Sequence, residues 1–281
     1  MLLPESIGIL AALTSALIWG SGDFAGGMAT RRSASSQVLW TASVTGVVVL
    51  LPLAILMREA LPSMATVAWS SLAGLSGGLG ILVLYRALST GPAALVAPIA
   101  GVVGASVPVA VGALLEGQPT VGHQVGLLIG MGGIWFVSRG AGGQEGFSRR
   151  PWTQAALAGV AFGGFFVFMA QVRVGLLAPI VVAKLAASVL ALGLLRIQRL
   201  PLRSGTPNFL ALAAGVLDAG GNLFYLLAVQ YARLDLAAVI SSMYPAATVI
   251  LARVVRHERT SLLQAIGIGL CLASVAVIAA A

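Results

Sequence analysis

Leu217-Asp218-Ala219-Gly220-Gly221-Asn222-Leu223-Phe224-Tyr225 sets an acid, an amide and a phenol inside a long apolar segment that carries no loop signal. Read as a helix, the stretch brings Asp218, Asn222 and Tyr225 (i, i+4, i+7) onto one face. A carboxylate near the middle of a membrane helix costs about 2.5 to 3.5 kcal/mol on insertion scales. It therefore requires a partner, a water-filled cavity or a task.

Composition makes the membrane reading general. Of the 281 residues 59% are hydrophobic and 9% charged, and the mean hydropathy is +1.01, far outside a soluble domain. The net charge of +8 comes from basic residues scattered between apolar runs, with no face or tail that collects them. That pattern is loop charge facing phospholipid and cytoplasm and excludes a nucleic-acid partner. Cys271, the single cysteine, lies in the last apolar run and reads as packing, with no disulfide or metal partner. Met1-Leu2-Leu3-Pro4-Glu5 has no basic leader region and reads as the beginning of a first span.

Runs long enough to cross about 30 Å of hydrocarbon number ten between polar or Pro/Gly-marked breaks. They cover about Ile7 to Met28, Gln37 to Met57, Val67 to Leu88, Ala93 to Leu115 and Val121 to Ser138 in the first half. In the second half they cover about Thr153 to Gln171, Leu176 to Ile197, Asn208 to Tyr231, Leu236 to Val255 and Leu262 to Ala280. The longest connection, Arg139 to Pro151, falls at the midpoint. The halves echo one another. Gly80-Ile81-Leu82-Val83-Leu84-Tyr85 lines up with Gly220 to Tyr225, Gly117-Gln118-Pro119-Thr120 with His257-Glu258-Arg259-Thr260, and Gln124 with Gln264. An odd number of spans per copy makes the second copy enter from the opposite side. The expected fold is thus an all-α polytopic membrane protein, ten transmembrane helices as two inverted five-helix repeats, residues 1–140 and 152–281 joined by 141–151. Glycines at 77, 80, 101, 104, 126 and 130 suit close helix packing in lipid. Pro98, Pro108 and Pro245 are expected to kink or locally open the fourth and ninth spans.

Several motifs add a family resemblance. Trp19-Gly20-Ser21-Gly22, Tyr85-Arg86-Ala87-Leu88, Met243-Tyr244-Pro245 followed by Glu258-Arg259-Thr260, and Gln264 to Gly267 together resemble the EamA family of the drug/metabolite transporter superfamily, over both halves of the chain. The resemblance implies ten helices, a central cavity between the halves, and export or exchange of a small metabolite. It leaves the substrate open. Two positions depart from the family pattern: Gln118, where many relatives carry Glu, and Asp23, an acid where a neutral polar residue is commoner, which either adds a charge to the cavity or, near the end of its helix, reaches headgroup water.

The residues expected to bind substrate are Trp19, Asp23, Tyr85, Lys184, Asp218, Asn222 and Tyr225. Lys184 and Asp218 sit at similar depth on spans joined by a short loop, so they are expected to pair and remain ionised. Asp218 alternatively takes up and releases a proton and couples export to a proton gradient. Trp19 and Asp23 share a face of the first helix (i, i+4), where an aromatic lining stacks on a ring or a cation. Trp40, Trp69 and Trp152 read as interface belt, Arg86, Arg173, Arg233 and Arg253 as snorkelling anchors, and Gln171 and Gln230 as solvated caps. His123 and His257 have no partner at ligand spacing in sequence, and no phosphate-binding glycine loop is present. No cofactor, metal or catalysis is expected. The expected protein is a monomeric, multi-pass secondary transporter of the plasma (bacterial inner) membrane, with substrate, lipid and, if coupled, protons as its partners. A non-transporting protein, a lipid scramblase or a sensor subunit, is the alternative, distinguished by whether the polar groups converge on one enclosed cavity.

Orientation sets two arguments against each other. The odd-numbered connections hold Arg31, Arg32, Arg86, Arg139, Arg149, Arg150, Arg196, Arg199, Arg203, Arg253, Arg256 and Arg259, and the even-numbered ones hold only Arg58, Arg173 and Arg233. Basic loops stay in the cytoplasm, which places both termini outside, whereas the resemblance implies termini in the cytoplasm. The charge count predicts that a reporter fused after Ala281 reads outside, and a cytoplasmic signal would refute it.

Overall fold

The computed structural model of the chain describes residues 3–90, 93–139, 149–202, 208–256 and 261–281, with side chains except at 3, 85–90, 93–99, 138–139, 149–152, 249, 252–253, 255–256 and 279. Every element among the described residues is an α-helix: α1 (Leu3–Ala29), α2 (Ser35–Leu56), α3 (Met64–Thr90), α4 (Ala93–Leu115), α5 (Val121–Arg139), α6 (Arg149–Ala170), α7 (Leu177–Ile197), α8 (Phe209–Tyr231), α9 (Leu234–Ser241), α10 (Tyr244–Arg256) and α11 (Leu262–Ala280). Apolar surroundings force this outcome, since a helix satisfies its backbone polar groups internally. Six stretches are long and apolar enough to cross a membrane: Pro4–Ala29, Ser35–Leu56, Met64–Leu84, Thr153–Ala170, Leu177–Ile197 and Phe209–Tyr231. Three shorter apolar stretches, Ala100–Leu115, Val121–Val137 and Leu262–Ile278, accompany them.

The expected ninth span, Leu236 to Val255, is not one helix. It divides into α9 and α10 at Ser242–Met243. Pro245 is the second residue of α10, where its missing N–H falls among the first-turn donors that no helix uses. α9 ends in a tightened turn, Met243 N–H donating to the Ile240 carbonyl at 3.1 Å. Ser242 is buried at this break, and its hydroxyl has no hydrogen-bond partner among the described residues. By contrast α4 remains helical past Pro98 and Pro108, and α2 past Pro52.

The principal packing partners lie in opposite halves of the chain: α1 on α8, α5 on α11, α3 and α4 on α6, and α2 on α7. Such close approach needs small residues. A Cβ on Gly74 of α3 would stand 2.0 Å from the Ala183 carbonyl oxygen of α7. The two halves also repeat a local device. α2 and α7 each end with an arginine in the left-handed region, Arg58 (φ 52°) and Arg199 (φ 53°), one repeat length apart. In both, the next N–H folds back, Glu59 to the Ala54 carbonyl at 3.0 Å and Leu200 to the Leu195 carbonyl at 2.9 Å, the bond of a Schellman motif.

The turn after α2 delivers Glu59 to the first turn of α7. Its carboxylate accepts from the N–H groups of Leu176 at 2.5 Å, Leu177 at 2.9 Å and Ala178 at 3.1 Å. These donors have no intrahelical acceptor, and the helix dipole favours an anion there. Glu59→Ala should therefore destabilise the protein by about 1–2 kcal/mol and Glu59→Gln by less, since its amide oxygen still accepts. Thermal unfolding in detergent checks the order, and equal melting temperatures for all three proteins would contradict it.

Candidate functional site

Asp218 lies in the middle of α8, and one of its oxygens forms an ion pair with the Lys184 ammonium of α7. Burial of the two side chains is unequal, 7% exposed for Lys184 and 31% for Asp218. One turn further along α8, the Asn222 amide donates to the other Asp218 oxygen at 3.4 Å. The Lys184 stem runs against the backbone of α2, where a Cβ on Gly46 would approach it to 3.2 Å. Three helices thus meet at one charge pair. Depth explains why: both residues sit well inside their helices, and an unpaired charge at that level would be strongly unfavourable.

α1 supplies the opposing wall. Trp19 and Asp23 line a narrow cavity together with Gly22, Val38, Leu39 and Asp218, at the meeting of α1, α2, α3 and α8. Asp23 is exposed towards this space. Lys184 is not on the cavity wall; it stands behind Asp218. The cavity lies towards the α1–α2 turn, on the end of the bundle where Asn208 donates to the Ala29 carbonyl and Gln37 to the Pro201 carbonyl, at 3.0 and 2.9 Å.

Tyr225 shares the polar face of α8 but does not line the cavity. It is fully buried, and its hydroxyl donates to the Phe166 carbonyl of α6 at 2.9 Å. Its ring belongs to an aromatic cluster, with centroids 4.9 Å from Phe166, 5.9 Å from Phe165 and 5.8 Å from Trp19. Trp19 in turn meets Phe165 and Phe166 edge to face, both at 5.8 Å. Gly221 makes room for the indole, since a Cβ there would stand 2.3 Å from the ring. The Tyr85 side chain, on α3, lies outside the described residues.

A second cleft occupies the opposite end of the bundle, lined by Pro4, Glu5, Glu116, Arg173, Gln230 and Arg233. From sequence alone Arg233 is expected to be an interface anchor, and no role is expected of the nearby acids. Here Arg233 pairs with the fully buried Asp235 at 2.9 Å and donates to the Gly117 carbonyl at 2.7 Å. Its hydrogen bond to Asp235 holds the guanidinium above its ordinary value. Glu116 accepts from the Leu234 N–H at 3.1 Å, a cap on α9 supplied from the other half. His123, buried on α5, stands 3.9 Å from Glu5. The one available signal for these contacts was an acid just beyond a span, opposite another span's N-terminus. Among the described residues no three His, Cys, Asp or Glu side chains are placed to hold a metal ion.

Comparison with known proteins adds three findings. A family model described as the EamA-like transporter family matches residues 6–139 and again 152–280. A solved structure, titled only as the crystal structure of a protein, superposes with a TM-score of 0.79 at 22% identity, covering 96% of this chain and 97% of that one. No curated protein matches the chain.

The charge pair yields a stability test. Lys184→Met leaves Asp218 half-buried without its partner and should cost about 3–5 kcal/mol, whereas the double variant Lys184→Met/Asp218→Leu should recover most of that loss. Denaturation of these two variants and of Asp218→Leu alone measures the coupling, and a double-variant loss equal to the sum of the two single losses would show that the residues are independent.

Proposed function

The chain belongs to the EamA-like transporter family, and from that premise we propose that it is a secondary transporter moving a small metabolite by alternating access. In this reading ten spans form two inverted five-helix repeats in a plasma membrane, the inner membrane of a bacterium. The α9–α10 pair is then a single discontinuous span, the device by which carriers place helix ends at mid-membrane.

One observation supports transport over a purely structural role: two carboxylates, Asp23 and Asp218, line one cavity inside the bundle. Asp23 and Asp218 face the space, and the rings of Trp19, Phe165, Phe166 and Tyr225 separate it from the cleft at the other end. A protein that used its polar groups only for helix association would have no reason to leave Asp23 turned towards a cavity. Substrate charge near Asp218 works on the Lys184–Asp218 pair, because a ligand cation would compete with the lysine for the carboxylate. Proton uptake by the same carboxylate would do likewise, and that competition couples export to a proton gradient.

Flux into proteoliposomes, with and without a pH gradient, tests the reading. For one-for-one exchange, an inside-acid gradient of about one pH unit should drive about tenfold accumulation of the transported solute. Asp218→Asn should abolish the response to the gradient. Accumulation that ignores the gradient in both proteins removes proton coupling, and a substrate panel with no protein-dependent flux removes transport.

A further inference from the structure

We propose that the solute taken by this cavity is a small organic cation, its ammonium head held by the Asp23 carboxylate beside the Trp19 ring. This rests on the transport reading, and it follows from how charge is distributed over the cavity wall.

Two carboxylates, Asp23 and Asp218, line the space, and no basic residue among the described ones does. They are not equivalent. Asp218 is already answered by the Lys184 ammonium and the Asn222 amide. Asp23 has no ion pair among the described residues, and it is the more exposed of the two. The charge left over at the wall is therefore negative and belongs to Asp23. A carboxylate facing a confined space between apolar helices attracts a counter-ion far more strongly than one in bulk water.

The rest of the wall sharpens the class. Trp19 precedes Asp23 by one helical turn, and both residues line the same space, so a cation bound to Asp23 has an aromatic side chain on the same wall. Opposite them stand Val38, Leu39, Ala42, Ile81 and Ala214. Those side chains offer contact to an alkyl body and no donor to a carboxylate, a phosphate or a sugar hydroxyl. Among the described residues an anion would meet two carboxylates and no free cation, because the lysine that could receive it is engaged behind Asp218. A neutral polyol could give hydroxyl hydrogens to the two carboxylates but would leave the charge of Asp23 without a counter-ion.

Three probes of one chain length separate these possibilities: hexylammonium, hexanoate and hexanol, titrated into the full-length protein purified in detergent, with tetraethylammonium as a bulkier cation. Calorimetry or thermal shift should detect hexylammonium and neither of the other hexyl compounds. Asp23→Asn should weaken hexylammonium by about tenfold or more, and Asp23→Glu, which keeps the charge, should stay within a few-fold of the natural protein. Hexanoate binding as tightly as hexylammonium overturns the proposal. So does an Asp23→Asn protein that binds the amine unchanged, or the failure of both cations to bind. The proteoliposome assay keeps the two readings apart. Asp23-dependent cation binding without protein-dependent flux of tetraethylammonium, which has no neutral form that crosses the bilayer, would sink transport and leave the cation site standing, whereas protein-dependent accumulation of a carboxylate and not of tetraethylammonium would do the reverse.

Discussion

A lysine and an aspartate that have left water must find each other, and most of the arrangement at the centre of this protein follows from that constraint. The desolvation cost of either ion alone is several kcal/mol, so α7 and α8 are held at the register that joins Lys184 to Asp218. The pair reaches further than two helices. Gly46 lets α2 lie against the lysine stem, and Asn222 steadies the second carboxylate oxygen from one turn away. The geometry also leaves Asp218 with one side to the lysine and one to the cavity, so the pair is both a structural tie and a part of the cavity wall.

The two ends of the bundle are fastened by different chemistry. At the end bearing the termini, carboxylates do the work: Glu59 on the first turn of α7, Glu116 on the first turn of α9, and Asp235 on Arg233. Anions belong there because these helices begin at that end and present free N–H groups and the positive ends of their dipoles. At the other end the ties among the described residues are neutral. Ser36 meets the Gln198 amide at 2.8 Å, Gln37 donates to the Pro201 carbonyl, and Asn208 reaches Ala29 and Ser33 across the halves. Neutral bonds are weaker than charge-assisted ones. The cavity that holds Asp23 lies towards this neutrally tied end.

How much of this could be read from the chain differs from residue to residue. The Lys184–Asp218 pair was legible because depth in a span is a count of residues from its ends, and opposite charges at equal depth have few other options. The face of α8 was legible from helical spacing, but the surroundings of Tyr225 were not, since they depend on Phe165 and Phe166 arriving from α6. Pro245 located a disturbance to within a turn. It did not say that the helix would stop, which depends on Ser242 and Met243 ending α9 before the proline begins α10. Glu59 and Glu116 carried no periodic signal at all. A cap supplied from more than a hundred residues away is a tertiary contact, and a single acid beside a span end looks the same whether it caps a helix or faces water.

The aromatic cluster settles which helix has to move if the two clefts are ever to communicate. Both clefts are lined by α1 and α8: Glu5 and Gln230 at one end, Asp23 and Asp218 at the other. On α8 the twelve residues from Asp218 to Gln230 span about 18 Å, and Tyr225 lies between them. α1 and α8 cannot part easily. Trp19 is seated on Gly221, the Ser15 hydroxyl donates to the Gly221 carbonyl at 2.8 Å, and the two helices pack along their length. α6 is the helix less closely joined to α8. Its main contacts are with α3 and α4, and it meets α8 through the Tyr225–Phe166 hydrogen bond and ring contacts with Phe165 and Phe166. Between α6 and α8, a movement of α6 together with α3 and α4, on which it packs, breaks one neutral hydrogen bond, worth about 1 kcal/mol, and a few ring contacts of similar size. Separating α1 from α8 would undo the packing of two full-length helices, so a path between the clefts opens most cheaply on the α6 side of the tryptophan.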